Sequence, residues 1–347
     1  MALRFIDSFD HYATADAPKK GWTYTATAPA TVTVGSYGRN STSGLRMDHA
    51  ASYDSKAVLT VSGVSGTTAV LGFAYKISAL PALDMSMVQI WNASAAQISL
   101  TLSTGGALSV RRGGLAGTVL VTTSTTISSA TFYFIELKIV FHDTTGTYEV
   151  RIDGVNEGSG TGADTVASGS AGWDSLVFGA SPTTHNENVD IDDLYVCDGS
   201  GGVEDTFLGD HRVVCIVASS GSGTNTDWTP STGTDHGALV DENPPNTTDY
   251  NSSDTSGDRD TYNFAAVGVA GTVKALQHVN LVSAQVAGVR SVGPVSRIGG
   301  VNYDGTGTVV GSDWTFQRDI KRVSPATSTA WTVSEIDGAE FGVKVTA

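Results

Sequence analysis

Thr131–Gly154 reads TFYFIELKIVFHDTTGTYEVRIDG, and its alternation decides the fold. In the first half, Tyr133, Ile135, Leu137, Ile139 and Phe141 fall on one face of an extended chain, while Glu136, Lys138 and His142 share the other with Phe132, Phe134 and Val140. In the second half, Tyr148, Val150 and Ile152 oppose Glu149, Arg151 and Asp153. Asp153-Gly154 is a tight-turn dipeptide, since both residues tolerate the positive φ of a two-residue hairpin loop. Long antiparallel strands of this kind predict a large β-sandwich. Such sandwiches usually bind or build, so the architecture leads us to expect a chain that is not an enzyme.

Composition extends this reading to the whole chain. The 347 residues are enough for two domains with separate cores. The 40 glycines exceed the usual share of about 7% and imply many turns, and no stretch carries a long helical period. The expected fold is therefore all-β. A net charge of −15 disfavours nucleic acid, whose phosphates such a surface repels. The pair Arg111-Arg112 is followed by glycines and reads as a solvated hairpin tip. No apolar run reaches the roughly 18 residues of a membrane helix, so no membrane insertion is expected. The N-terminal stretch lacks the apolar core of an export signal. Cys197 and Cys215 lie in apolar contexts and read as buried free thiols.

Turn signals divide residues 1–198 into short strands at Phe5–Phe9, Thr31–Val34, Gly44–Met47, Lys56–Val61, Ala69–Ile77, Val88–Trp91, Ile98–Leu102, Ala107–Arg111, Val119–Thr122, the opening hairpin, Ser175–Phe178 and Val189–Val196. The first and last of these are expected to pair. Residues 199–202 form a Gly/Ser linker, and 203–347 are expected to fold as a smaller β-sandwich. Its strands are read at Phe207–Val217, Tyr262–Val269, Thr272–Val286 with a bulge, and Val309–Ile320. Between them runs a long polar loop over 219–260, pinned by Trp228, Leu239, Val240 and Tyr250.

Several segments carry a resemblance. FIDSFDHY (5–12), GRNSTSGLRM (38–47), VLGFAYKI (70–77), FIELKIVFHDTTGTYEVRIDG (134–154) and VDIDDLYVCD (189–198) resemble a laminin-G or concanavalin-A-like jelly roll of the kind found in tailed-bacteriophage virion proteins. FLGDHRV (207–213), the stretch 227–264 and WTVSEIDGAEFGVKV (331–345) resemble a module that follows such jelly rolls. The resemblance implies a structural virion protein, assembled in a host cytoplasm and partnered by other virion proteins. It transfers no catalytic residue, cofactor or metal. The long polar segment and exposed strand edges suggest a homotrimer. Host-surface glycan is the further partner considered, giving a carbohydrate-binding receptor module as the alternative function.

Four constellations bear on chemistry. Glu335, Asp337 and Glu340 match the E-x-D-x-x-E pattern of jelly-roll glycosidases, which would make the chain a glycan hydrolase. Thr332 three residues ahead of Glu335 instead fits a capping box, and that reading is preferred. Asp190, Asp192 and Asp193 could ligate calcium, but read first as a polar edge with a bulge that restores inward pointing at Leu194 and Val196. Asp254, Asp258 and Asp260 lack the spacing of a calcium loop. Trp22 and Trp91, with Tyr24 and Tyr37, lie near turns where a sugar ring could stack, and the two tryptophans are the glycan-contact candidates.

Overall fold

A computed structural model describes residues 3–50, 55–179, 185–204, 206–285 and 289–347. The chain divides into two compact units, Met1–Phe9 with Ala13–Val213, and Asp10–Tyr12 with Val214–Ala347. No helix among the described residues is long and apolar enough to cross a membrane.

The first unit contains β1 (Leu3–Asp7), β2 (Trp22–Ala26), β3 (Thr31–Gly35), β4 (Gly44–Asp48), β5 (Ser55–Thr60), β6 (Thr68–Ile77), β7 (Met85–Asn92) and β8 (Ala95–Leu102). It continues with β9 (Ala107–Arg112), β10 (Thr118–Thr126), β11 (Tyr133–Val140), β12 (Gly146–Ile152), β13 (Val155–Ala163), β14 (Ser175–Phe178) and β15 (Asn188–Cys197). One eight-stranded sheet runs β13-β12-β11-β6-β15-β4-β3, with β1 also on β15; a seven-stranded sheet runs β10-β9-β8-β7-β14-β5-β2. All pairings are antiparallel, and the two sheets meet as a sandwich. Phe73 of the first packs edge-on against Phe178 of the second, ring centroids 5.2 Å apart.

The opening hairpin is β11 and β12, with Ile135, Leu137 and Ile139 buried on the inner face. Asp153 and Gly154 both take positive φ in the turn to β13. As expected, β1 pairs with β15, Phe5 opposite Val196. The bulge also occurs: the register of β15 on β6 shifts between Asp192 and Tyr195, and Asp193 has φ 50°. Two strands were not read from the sequence. β13 is VNEGSGTGA, with no apolar residue but Val155 and Ala163, and β2 offers only Trp22 and Tyr24 to mark its inner face.

The outward face of β11 departs from the expectation for a solvated face. Glu136 is 0% exposed, because residues 206–213 lie across it. Residues 207–217 form no strand, and over residues 208–213 backbone groups are taken by side chains of the sheet. The Leu208 N–H donates to the Tyr195 hydroxyl (3.1 Å), Gly209 N–H to Glu136 (2.8 Å) and Val213 N–H to Asp193 (2.6 Å). Arg39 donates to the His211 carbonyl and to Asp193 and Asp210. The Phe207 ring lies 4.1 Å from the Arg151 guanidinium carbon. Gly72 makes room for this arrangement, since a Cβ there would stand 2.1 Å from the Tyr195 ring.

The second unit contains β16 (Ala218–Thr226), β17 (Thr229–Pro230), β18 (Asn251–Ser252), β19 (Arg259–Phe264), β20 (Leu276–Val282), β21 (Arg290–Ile298), β22 (Val301–Asp304), β23 (Thr308–Val310), β24 (Thr315–Lys321) and β25 (Glu340–Val345). Its main sheet runs β16-β19-β25-β21-β22 with β23 also on β21, and β20 pairs with β24. Val282 of β20 packs with Val292 and Val343 of the main sheet, forming a small two-layer core. The stretch expected as one strand at Val309–Ile320 is two, and β20 begins at Leu276; the end of that expected strand, Val286, lies outside the described residues. The expected loop 219–260 holds β16 and the β17–β18 ribbon. β21 carries Pro294, which discourages a central-strand reading. The strand tolerates it because Gly293 and Pro294 fall between the residues paired with β23 and those paired with β22.

Candidate binding face

The two tryptophan candidates separate sharply. Trp22 is 1% exposed and packs among Phe5, Phe9 and Phe178, its indole N–H donating to Asp7 at 3.0 Å. Asp7 also pairs with the buried Lys20 at 2.8 Å. A sugar cannot reach this ring, and Trp22 is withdrawn as a glycan contact. Tyr24 packs against it, and Tyr37 is stacked under Arg46, whose guanidinium carbon lies 3.9 Å from the ring centroid.

Trp91 is half-buried on the outward face of the seven-stranded sheet. Cross-strand partners share a face, so register traces the surroundings. The row through Gln89 reads Val58, Val177, Gln89, Ser99, Arg111 and Val119 across β5, β14, β7, β8, β9 and β10. Thr60 and Ser175 flank Trp91 on one side of that row; Ser86, Thr101, Ser109 and Thr122 lie on the other. The Trp91 indole N–H donates to Gln89 Oε1 at 2.7 Å, which fixes the ring along its own strand. Arg111 Nε donates to Thr101 Oγ1 at 3.2 Å, and Ser109 and Thr122 hydroxyls meet at 2.8 Å. Ser86 Oγ is buried and has no hydrogen-bond partner.

On this surface only Trp91 and Arg111 were noted in the sequence, the second merely beside a turn, yet three successive strands carried the signal. Val88 and Ile90 alternate with Gln89 and Trp91, Ile98, Leu100 and Leu102 with Ser99 and Thr101, and Leu108 and Val110 with Ser109 and Arg111. The polar phase of all three is the outward face. Arg111 and Arg112 close β9 just before the turn at 113–117, where the sequence placed them, but both are half-buried and not solvated.

The carboxylate candidates are engaged elsewhere. Asp190 takes two bonds from Arg46 (2.7 and 2.9 Å) and pairs with Lys76 at 3.0 Å. Asp192 accepts from the Arg39 N–H (2.9 Å), Thr42 (3.1 Å) and the Asp193 N–H (2.7 Å). Burial, reinforced by Asp193, still pushes the Asp192 carboxyl up to about 8. Burial also raises Asp193, against the pull of the Val213 N–H and Arg39. Among the described residues no group of three or more His, Cys, Asp or Glu side chains converges as a metal site.

Glu335, Asp337 and Glu340 do not converge on one ligand site. The Glu335 N–H donates to Thr332 Oγ1 at 3.1 Å, capping a short helix, Val333–Asp337, while its carboxylate accepts from Ser324. Asp337 accepts from the Val267 N–H and Glu340 from Thr224 and Thr261. In the cluster Asp254, Asp258 and Asp260, Asp260 is buried and bonded to His236 Nδ1 (2.9 Å) and the Tyr262 hydroxyl (3.0 Å), whereas Asp258 accepts from Ser253.

No protein-family model matches the chain, and no curated protein does. Among solved structures, a sialidase shares 14% identity over 56% of this chain with a TM-score of 0.42; the chain covers 18% of that protein. Domain 4 of a GH43 extracellular arabinanase from Geobacillus stearothermophilus, in complex with arabinotriose, shares 16% identity over 55% of this chain and 92% of its own, TM-score 0.37. The alginate lyase Aly36B shares 10% over 60% of this chain and 98% of its own, TM-score 0.40. At these identities the likeness concerns the fold. It nevertheless corrects one expectation. The inference that the chain is not an enzyme rested on the premise that such sandwiches bind or build, and the proteins just named are a sialidase, an arabinanase domain and an alginate lyase. That inference is withdrawn.

Proposed function

We propose that the first unit binds carbohydrate across the outward face of its seven-stranded sheet. The observation that carries this reading is Trp91, a half-buried indole held by its hydrogen bond to Gln89 beside a row of hydroxyl and amide side chains. An indole face stacks on the C–H face of a pyranose, and its fixed orientation means little side-chain entropy is lost on binding. Gln89, Ser99, Thr101 and Ser109 are buried and bonded within the sheet, so they hold the platform in place, and the polar groups left for sugar hydroxyls are the exposed Thr60 and Thr122 and the half-buried Arg111.

A glycan array with the full chain, followed by Trp91→Ala, tests this. Specific capture should be lost in the variant while the unfolding free energy stays within about 1 kcal/mol of the native chain, as for an incompletely buried side chain. Capture unchanged by Trp91→Ala would overturn the proposal. Reducing-end analysis of the captured glycan reads whether it is also cut.

As the setting we propose the surface of a tailed-phage virion, with the chain present as a homotrimer among other virion proteins. That part rests on the segment resemblances and on exposed strand edges. Light scattering at one chain mass would count against the trimer.

A further inference from the structure

We infer that the glycan taken by this face is a polyuronate, one of its carboxylates being read by Arg111; the inference rests on the binding reading above. Arg111 stands two strands from Gln89 on the same cross-strand row. Its Nε is committed to Thr101 at 3.2 Å, but its two terminal nitrogens find only distant partners, the Gly117 carbonyl at 3.4 Å and Asp84 at 3.5 Å. Both distances lie beyond the usual range for N–H···O bonds. Asp84 is well exposed, so its pairing with Arg111 is weak and readily exchanged. A carboxylate approaching from solvent could take both terminal nitrogens in the planar fork that guanidinium offers.

One further observation fits this occupant. Lys56, on the outward face of β5, places a second cation on the same surface and locally opposes the repulsion that the chain's net charge of −15 exerts on a polyanion. Strand spacing puts the Gln89 and Arg111 positions about 10 Å apart. A ring stacked on Trp91 and a carboxylate on Arg111 therefore belong to different sugar units, and the ligand is an oligomer.

The test is calorimetric titration of the full chain with an oligouronate hexamer and a neutral glucose hexamer at low and high salt. The oligouronate should bind at least ten-fold tighter at low salt. Arg111→Gln should erase that preference, and Arg111→Lys should restore only part of it, because an ammonium lacks the fork. Equal affinity for the two hexamers in the native chain, or a preference that survives Arg111→Gln, overturns the inference. If the neutral hexamer binds and Trp91→Ala abolishes that binding, the carbohydrate reading stands while the polyuronate inference falls. Absence of binding by both hexamers counts against both.

Discussion

The two sheets of the first unit turn very different faces outward. That of the eight-stranded sheet is covered by the chain itself: residues 206–213 run across it, held by Tyr195, Glu136, Asp193 and Arg39. That of the seven-stranded sheet carries Trp91, Gln89 and Arg111, whose bonds go to one another's neighbours and to adjoining turns. Both faces hold polar groups shielded from water, but they handle them differently. Under the covering segment the polar groups are mostly satisfied within the protein. Each face nevertheless keeps a buried oxygen without a partner, Glu136 Oε2 under the segment and Ser86 Oγ on the other sheet, and what sets the second face apart is the partly exposed Arg111 guanidinium, whose terminal nitrogens are only loosely held. Unfinished bonding therefore marks a site only where solvent can reach it.

The largest expected effect lies between the faces. Trp22→Ala should cost about 3–5 kcal/mol, the range for truncating a buried aromatic, and would also strip a donor from buried Asp7. Urea unfolding that shows Trp22→Ala and Trp91→Ala to be equally mild would dissolve the contrast between core and face tryptophans.

Next comes the covered face. Asp193→Ala removes the acceptor of the Val213 N–H and one partner of Arg39, at a cost of roughly 2–4 kcal/mol, since Arg39 is partly solvated and keeps Asp210. Limited proteolysis should then cut within 203–213 at protease levels that leave the native chain intact. Unchanged resistance would mean that the segment is held by its apolar contacts alone.

The sequence showed the sandwich more clearly than it showed which of its faces was free. Alternation identifies the inner face of every strand with enough apolar residues, which is why β11 and β15 were legible and glycine-rich β13 was not. It cannot tell whether the outer phase meets water. Glu136 and Trp91 both occupy outward positions, yet one is sealed by a segment some 70 residues away in sequence and the other is half-buried. That segment looked like a strand because Val213, Val214, Ile216 and Val217 are β-formers; tertiary partners took its backbone bonds instead. Trp22 and Trp91 were indistinguishable near turns, and only the register separates them.

A smaller, pH-dependent effect also belongs to the covered face. Asp192 is raised to about 8 by burial and by Asp193, so below its ordinary range near 4 it favours neither state. As pH rises from about 4 to about 8 the unfolded chain ionises this carboxyl while the folded chain keeps it protonated. Stability is lost across that window, by at most roughly 1.4 kcal/mol per pH unit for one group. Asp192→Asn should flatten the stability-versus-pH slope between 4 and 8, the slope rather than the absolute value being the readout. A slope identical to that of the native chain would remove Asp192 from the account. The smallest effect should come from Ser86→Ala on the open face. Deleting an unpartnered hydroxyl should be neutral or stabilising within about 1 kcal/mol, whereas a larger loss would reveal a partner, such as a bound water, for that oxygen.

The most direct test of the central claim is amide hydrogen exchange with and without a captured glycan. Exchange should slow on β7, β8 and β9, within Met85–Arg112, and stay unchanged on β11, β12 and β15. Protection confined to the eight-stranded sheet or to the second unit, with Met85–Arg112 unaffected, would contradict the assignment of the binding face.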